Sequence, residues 1–226
     1  MAERPVFSVN IEQPYYREER VQFQYAPGFS IVQKLKNIQS IHNEYSRLHH
    51  NARILEVSSK SDLPLGVQLS AFNLALTVGG VRTTVESAFQ ASKVFQLGGP
   101  YADLLGQPSY IAKKDQRLRE SGALRSFELS GTPFPLEPKT FFYDWIYINA
   151  LQDNNELSEQ ISEYNAFTDI EFNPEKSINC QARSAAIYVS LRHQGLLSEA
   201  LISPDHFLHT VYLPAKEPDH EQLSFF

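Results

Sequence analysis

The sequence predicts an α+β fold in which helices dominate and a few short strands run between them. Three observations carry that expectation. Apolar residues recur at helical spacing over several segments, short stretches alternate as strands do, and a Gly-Gly pair divides two β-prone runs as a hairpin turn would. The 226 residues, 42% hydrophobic and 12% aromatic, supply material for one core and are read as a single domain. A charged fraction of 20% is ordinary for a globular chain, so disorder is not expected.

The elements follow in order. In "VQFQYAPG" (21–28), Val21, Phe23 and Tyr25 fall on one face, a strand ending in a Pro-Gly turn. Residues 29–50 place Ile31, Leu35, Ile38, Ile41, Tyr45 and Leu48 at helical spacing, with Ser30 as the cap. Residues 53–62 read as a strand running into the polar turn "SSKSD", and 74–83 as a hairpin about Gly79-Gly80. A helix is expected over 83–100. Thr83 and Glu86 have capping-box spacing, and Gly98-Gly99-Pro100 is a stop. Further helices are expected over 110–122, 139–154, 155–167 and 180–195, the last capped by Asn179 and ended by Gly195. Pro174 makes 168–179 a loop, 206–214 reads as a last strand, and 214–226 as a mobile tail. There is no internal repeat.

Several function classes are excluded by the bulk numbers. One cysteine, Cys180, rules out an internal disulfide framework and fits a reducing compartment. Glu3 and Arg4 stand where a signal peptide would be apolar, and no stretch reaches the length of a membrane span, so a cytoplasmic protein is expected. With 20 basic and 26 acidic residues the formal charge is −6, which argues against nonspecific wrapping of nucleic acid but leaves room for a local basic patch.

Three constellations carry chemistry. Glu86, Gln90 and Lys93 lie four and three residues apart and would form one stripe on a helix, Glu86 and Lys93 separated by ~10 Å along the axis. Such a stripe is either a solvated face or a carboxylate and an ammonium presented to one cleft. Lys60, in "SSKSD", is either a surface charge or a nucleophile at the rim of a site. The loop "DIEFNPEKSIN" gathers Asp169, Glu171, Asn173 and Asn179, which either solvate the loop and cap the next helix or bind sugar hydroxyls and phosphate. The cluster Lys113, Lys114, Arg117, Arg119 and Arg125 is interrupted by Asp115 and Glu120 and reads equally as a solvated face or a phosphate-tracking surface. His206 and His209 lack Cys or His neighbours, so no metal site is expected, and there is no G-x-S-x-G, P-loop, G-x-G-x-x-G or C-x-x-C.

Taken together, "LSAFNLALTVGGVRTTVESAFQASKVF" (69–95) resembles the NADAR, or YbiA-like, family. The matching pieces are Ser59-Lys60-Ser61-Asp62, Leu69-Ser70-Ala71-Phe72, Gly79-Gly80, Glu86, Phe89-Gln90 and Lys93. Later come Trp145, Ala150-Leu151 and Asn155-Glu156-Leu157, with Ser177-Ile178-Asn179 where the family carries Gly-Lys-Asn. The family core spans about 54–192, leaving an N-terminal extension, 1–53, and a C-terminal tail, 193–226. The stretches 28–42, 142–147 and 166–185 are similar to one subgroup, the NADAR antitoxins associated with DarT-type toxins, which attach ADP-ribose to guanine in DNA. Ser87 replaces a common His, Ala71 replaces Asn, and the family's late Trp-Gly is missing.

The resemblance implies a YbiA-like fold and hydrolysis of the N-glycosidic bond between ADP-ribose and the guanine amino group. Glu86 would be the general acid/base or steady the cationic sugar carbon, and Lys60 or Lys93 would trap the opened ribose as a Schiff base. Asp169, Glu171 and Asn179 would bind ribose or phosphate, with Phe72 and Ser70 also touching substrate and Gln90 orienting Glu86 or the sugar. No cofactor or metal is implied. The partners would be ADP-ribosylated guanine in single-stranded DNA and a cognate DarT-type toxin, with no membrane. Three alternatives stand beside this: an N-glycosidase on a small metabolite such as a riboflavin-pathway intermediate, a non-catalytic ADP-ribose-binding antitoxin, and an interaction protein that blocks a toxin.

Overall fold

The computed structural model describes residues 1–175 and 177–213, so the tail expected over 214–226 lies outside the described residues. The chain opens with an antiparallel hairpin, β1 (Ala2–Val9) and β2 (Tyr16–Phe23). β2 begins earlier than its alternation suggested and stops at Phe23. Val21 and Phe23 are buried, whereas Tyr25 is exposed. Helix α1 (Ile31–Leu48) is capped by Ser30, whose hydroxyl accepts from the Gln33 amide. Its Ile38, Ile41 and Tyr45 pack with Val6, Val21, Phe23 and Ile170 in a small separate core.

Strand β3 (Ile54–Glu56) is shorter than the expected 53–62, and a one-turn helix α2 (Pro64–Gln68) follows the polar turn. The hairpin of β4 (Ala75–Val78) and β5 (Val81–Thr84) turns on Gly79 and Gly80, both with positive φ, +56° and +80°. That is what a two-residue turn with this twist demands. Helix α3 (Val85–Ala91) ends well before the expected stop. Lys93–Phe95 is instead a strand, β6, because it pairs with a partner from later in the chain (Lys93↔Phe127). Gly99 then turns the chain so tightly, with φ +91°, that a side-chain carbon there would collide with the Lys93 carbonyl.

After a 3₁₀ turn at Ala102–Leu104, the single helix expected over 110–122 is two turns, α4 (Ser109–Ala112) and α5 (Arg117–Glu120). Asp115 breaks it by accepting the Arg117 amide at 2.9 Å, a local turn that competes with the helix. Strands β7 (Leu124–Leu129) and β8 (Thr132–Phe134) complete a sheet of order β6-β7-β8 that periodicity had not signalled.

Helix α6 (Phe141–Gln152) lies within the expected 139–154. α7 (Asn155–Ile161) is shorter than 155–167, because Ala166–Thr168 is a strand, β9. β9 lies between β1 and β3 in the sheet order β2-β1-β9-β3, parallel to β3 and antiparallel to β1. Pairing on both sides outweighs the helical pattern there. Helix α8 (Gln181–His193) is buried along nearly its whole length and packs on α6 in the main core. Two short helices, α9 (Leu197–Ala200) and α10 (Pro204–Val211), follow. Where a strand was expected from 206, the residues up to Val211 are therefore helical. Ser203 caps it, Pro204 starts it, and Phe207 and Val211 bury one face four residues apart. The fold is α+β with helix the larger share. Among the described residues, no helix is long and apolar enough to cross a membrane.

Candidate functional site

A cavity of about 600 Å³ opens where α3, β6, β7, α6 and the loop 169–181 meet. One wall is apolar, built from Phe89, Leu124, Phe127, Leu136, Tyr143 and Phe172. Phe89 stacks edge-on against Tyr143 and tilted against Phe127, at 5.4 and 5.3 Å between ring centres, which stiffens that wall. The other wall is charged.

Glu86 sits in the first turn of α3 and is 6% exposed, as is Gln90 one turn on, so the polar stripe is not a solvated face. The capping box expected from Thr83 does not form. Thr84 is the cap and takes the Ser87 amide, while the Glu86 side chain turns to the cavity. Its Oε1 accepts from Gln90 Nε2 at 2.9 Å and lies 3.4 Å from Lys113 Nζ. Lys93 Nζ donates to Gln90 Oε1 at 2.7 Å, so Gln90 links the carboxylate to the ammonium. Only one orientation of the amide satisfies both, since a carboxylate only accepts and an ammonium only donates.

Lys93 thus reaches Gln90, and through it the carboxylate, from a strand rather than from a continuing helix. Its ammonium lies 4.9 Å from the centre of the Phe89 ring. Burial lowers its pKa below the usual lysine range, the Glu86 charge opposes that shift, and Lys113 adds to it. Lys113 comes in from the end of α4, over the Phe72 ring at 4.9 Å. Burial, then the Glu86 charge, push the Tyr143 hydroxyl well above its ordinary pKa.

The loop after β9 supplies the remaining polar groups: Asp169, Glu171 and Asn179 all line the cavity. Asp169 Oδ1 accepts the Glu171 amide at 3.0 Å, and Glu171 is paired with Lys34 of α1 at 2.9 Å. Burial and then the neighbouring Glu56 carboxyl push the Asp169 pKa well above the carboxylate range. Asn179 does not cap α8. Cys180 holds the cap position without a side-chain bond, and Asn179 Oδ1 is buried with no partner among the described residues. Gln181 accepts the Ala71 amide at 2.7 Å, and the Ala71 carbonyl in turn accepts the Glu86 amide at 2.9 Å. Those two bonds tie α8, the Ala71-Phe72 segment and α3 into one frame.

Of the residues singled out in the sequence, the fold therefore brings together Glu86, Gln90, Lys93, Phe72, Asp169, Glu171 and Asn179 around one cavity. Lys60 and Ser70 are not among its lining. The Lys60 amide donates to Ser58 Oγ at 3.1 Å in the polar turn, and Ser70 is buried with its Oγ taking the Phe72 amide at 3.4 Å. Lys113, Tyr143 and Gln181 join the site without having been picked out for it. Lys113 had signalled only as part of a basic cluster, and nothing local marks the other two. Arg117 of that cluster is consumed by Asp103 and Asp115. Among the described residues no group of acidic, His or Cys side chains could hold a metal ion.

A family model described as NADAR-DarT1, DarT1-associated NADAR antitoxin, matches residues 2–221. It extends beyond 54–192 on both sides and takes in α1, whose Lys34 braces the cavity loop. No curated protein matches the chain.

Proposed function

The chain belongs to the DarT1-associated NADAR antitoxins, and from that membership we propose that it is a hydrolase removing ADP-ribose from guanine bases of DNA. The observation that supports this best is the buried Glu86 carboxylate held between Gln90 and Lys113, with Lys93 one hydrogen bond behind it, on one wall of a cavity of about 600 Å³. A bond from a sugar anomeric carbon to nitrogen breaks through a cationic carbon, and a desolvated carboxylate steadies that charge far better than a hydrated one. Glu86 fills this role and then takes a proton from the water that adds.

Lys93 is the nucleophile of this reading. Its ammonium is half-buried and its pKa depressed, so a larger fraction is the free amine. That amine adds to the anomeric carbon of the ring-opened sugar, then an imine of the guanine nitrogen. Guanine leaves with its amino group restored, and the carbon stays as a Schiff base to Lys93. Hydrolysis of that Schiff base returns the amine and free ADP-ribose. Asn179, whose Oδ1 has no partner among the described residues, accepts a ribose hydroxyl, and the apolar wall from Leu124 to Phe172 takes a planar base. The substrate would be the product of the DarT1 toxin named in the family description.

The test is release of ADP-ribose from an oligonucleotide carrying ADP-ribosylated guanine, with Glu86→Gln beside the wild type. Release by the wild type and its loss in the variant are expected. No release, or undiminished release by Glu86→Gln, overturns the reading. Binding of the modified oligonucleotide without release identifies a shielding antitoxin instead.

A further inference from the structure

One face of α1 runs along the stretch that leads into the cavity loop. Lys34, Ile38, Ile41 and His42 are spaced three or four residues apart and so share that face. His42 Nε2 lies 2.8 Å from Thr168 Oγ1, Ile38 and Ile41 pack with Ile170, and Lys34 pairs with Glu171 at 2.9 Å. Moving toward the start of the helix therefore moves along the chain from 168 to 171. The last contact reaches the cavity, because Asp169 and Glu171, the neighbours of the buried Ile170, both line it. α1 lies outside the core of 54–192 read from the sequence, so this contribution to the site comes from the N-terminal extension.

The backbone of the loop is held without α1. The Ile170 amide donates to Glu56 Oε1 at 2.8 Å, the Glu171 amide to Asp169 Oδ1 at 3.0 Å and the Phe172 amide to the Asp169 carbonyl at 3.1 Å. What those bonds leave undecided is the direction of the Glu171 side chain. It is 43% exposed, and a glutamate with that access to water samples several rotamers unless a partner holds it. Lys34, 23% exposed, is that partner, and the base of its side chain is fixed because Ile38, one turn on, is seated in the small core. Among the described residues, none of the lysines that line the cavity, Lys93, Lys113 and Lys139, comes within ion-pair distance of Glu171.

We propose that Lys34 is a positioning residue, which holds the Glu171 carboxylate at the cavity so that Glu171 accepts hydrogen bonds from a ribose diol of the substrate. This rests on the reading of the cavity as an ADP-ribose site and not on the hydrolytic step. A carboxylate has two acceptor oxygens and no donor, which suits two adjacent hydroxyls, whereas a glutamine amide offers one acceptor oxygen. The ion pair also means that the pyrophosphate of ADP-ribose meets a neutralised carboxylate rather than a bare one. Neither residue makes or breaks a bond. They bind and orient.

The test is calorimetric binding of ADP-ribose to the full chain in wild type, Lys34→Met, Lys34→Arg, Glu171→Gln and the Lys34→Met/Glu171→Gln double variant. Kd is expected to rise about fivefold in Lys34→Met, the upper range for a partly exposed ion pair. It rises at least as much in Glu171→Gln, rises no further in the double variant, and is largely restored in Lys34→Arg. ADP identifies the diol: weaker ADP binding in the same variants assigns the adenosine ribose, and a loss confined to ADP-ribose assigns the ribose that carries the guanine. No ADP-ribose binding by wild type, an unchanged Kd in Lys34→Met, or losses that add in the double variant each overturns the proposal. If Lys34→Met does not fold, an unchanged Kd in Glu171→Gln overturns it equally. In turnover, Lys34→Met raises KM and leaves kcat, as loss of uniform binding does, whereas a merely structural role lowers kcat through the folded fraction. ADP-ribose binding without cleavage of the modified oligonucleotide fails the hydrolase reading while the Kd series still judges Lys34. Cleavage with Kd and KM unmoved in Lys34→Met fails the positioning role alone.

Discussion

At Lys93 and Lys60, two lysines that the sequence could not rank, the fold separates a half-buried cavity amine from one in a turn outside the cavity lining. Borohydride trapping with substrate is expected to label wild type and Lys60→Met but not Lys93→Met, as read by peptide mass. Label retained in Lys93→Met assigns the nucleophile elsewhere. Glu86→Gln is expected to lower kcat/KM by about 10²–10⁴-fold, the range for loss of a positioned acid/base group. Lys113 bears on the same amine, because its charge helps hold the Lys93 pKa down. An amine nucleophile must lose its proton, so the rate rises with pH through the Lys93 pKa. Lys113→Met raises that pKa, and the rising limb of kcat/KM moves to higher pH. An unmoved limb shows that Lys113 does not act on Lys93.

On the scale of elements, the start of α3 decides where Glu86 points. Thr84, not Thr83, takes the Ser87 amide, which leaves Glu86 at the second helical position with its side chain free for the cavity. Thr84→Ala is expected to cost about 1 kcal/mol in urea unfolding, the usual value of a lost cap. Thr83→Val is expected to be neutral or stabilising, because the Thr83 hydroxyl is buried without a partner among the described residues. The reverse order would restore the capping box. The hairpin at Gly79-Gly80 and the length of α1 were legible in the sequence, because turn chemistry and apolar spacing are local signals. β6, β7 and β9 were not, because each is stabilised by strands far along the chain.

Across the whole molecule, buried polar links join the outer layers to the site. His42 ties α1 to β9 through Thr168. In the unfolded chain this imidazole takes its proton near pH 6.5, and in the fold only at about 4. Between those values the unfolded state binds more protons, so stability falls as pH drops from about 6.5 to about 4, by about 3 kcal/mol in all. His42→Gln is expected to flatten that slope in denaturant melts at stepped pH. On the far side, Asp144 of α6 is fully buried and accepts from Arg183 of α8 at 2.9 and 3.1 Å, and from Ser184 and from Tyr212 after α10. Asp144→Asn leaves the Arg183 charge buried without its counterion and is expected to cost about 3–5 kcal/mol of stability. A loss below about 1 kcal/mol would show that water reaches Arg183.

The sequence by itself determined the α+β class, the capped helix over Ile31–Leu48, the Gly-Gly hairpin, and the family through pieces such as Leu69-Ser70-Ala71-Phe72 and Phe89-Gln90. Each of these is written in neighbouring residues. Tertiary structure alone decided that Glu86 faces a cavity rather than water, and that Lys93 reaches Gln90 from a strand. It alone also set Lys113 beside Glu86. The physical reason is that exposure, ion pairing and protonation depend on which groups the fold sets against one another. Those neighbours come from segments up to more than a hundred residues apart, as in Thr168 with Glu56 and Gln181 with Ala71.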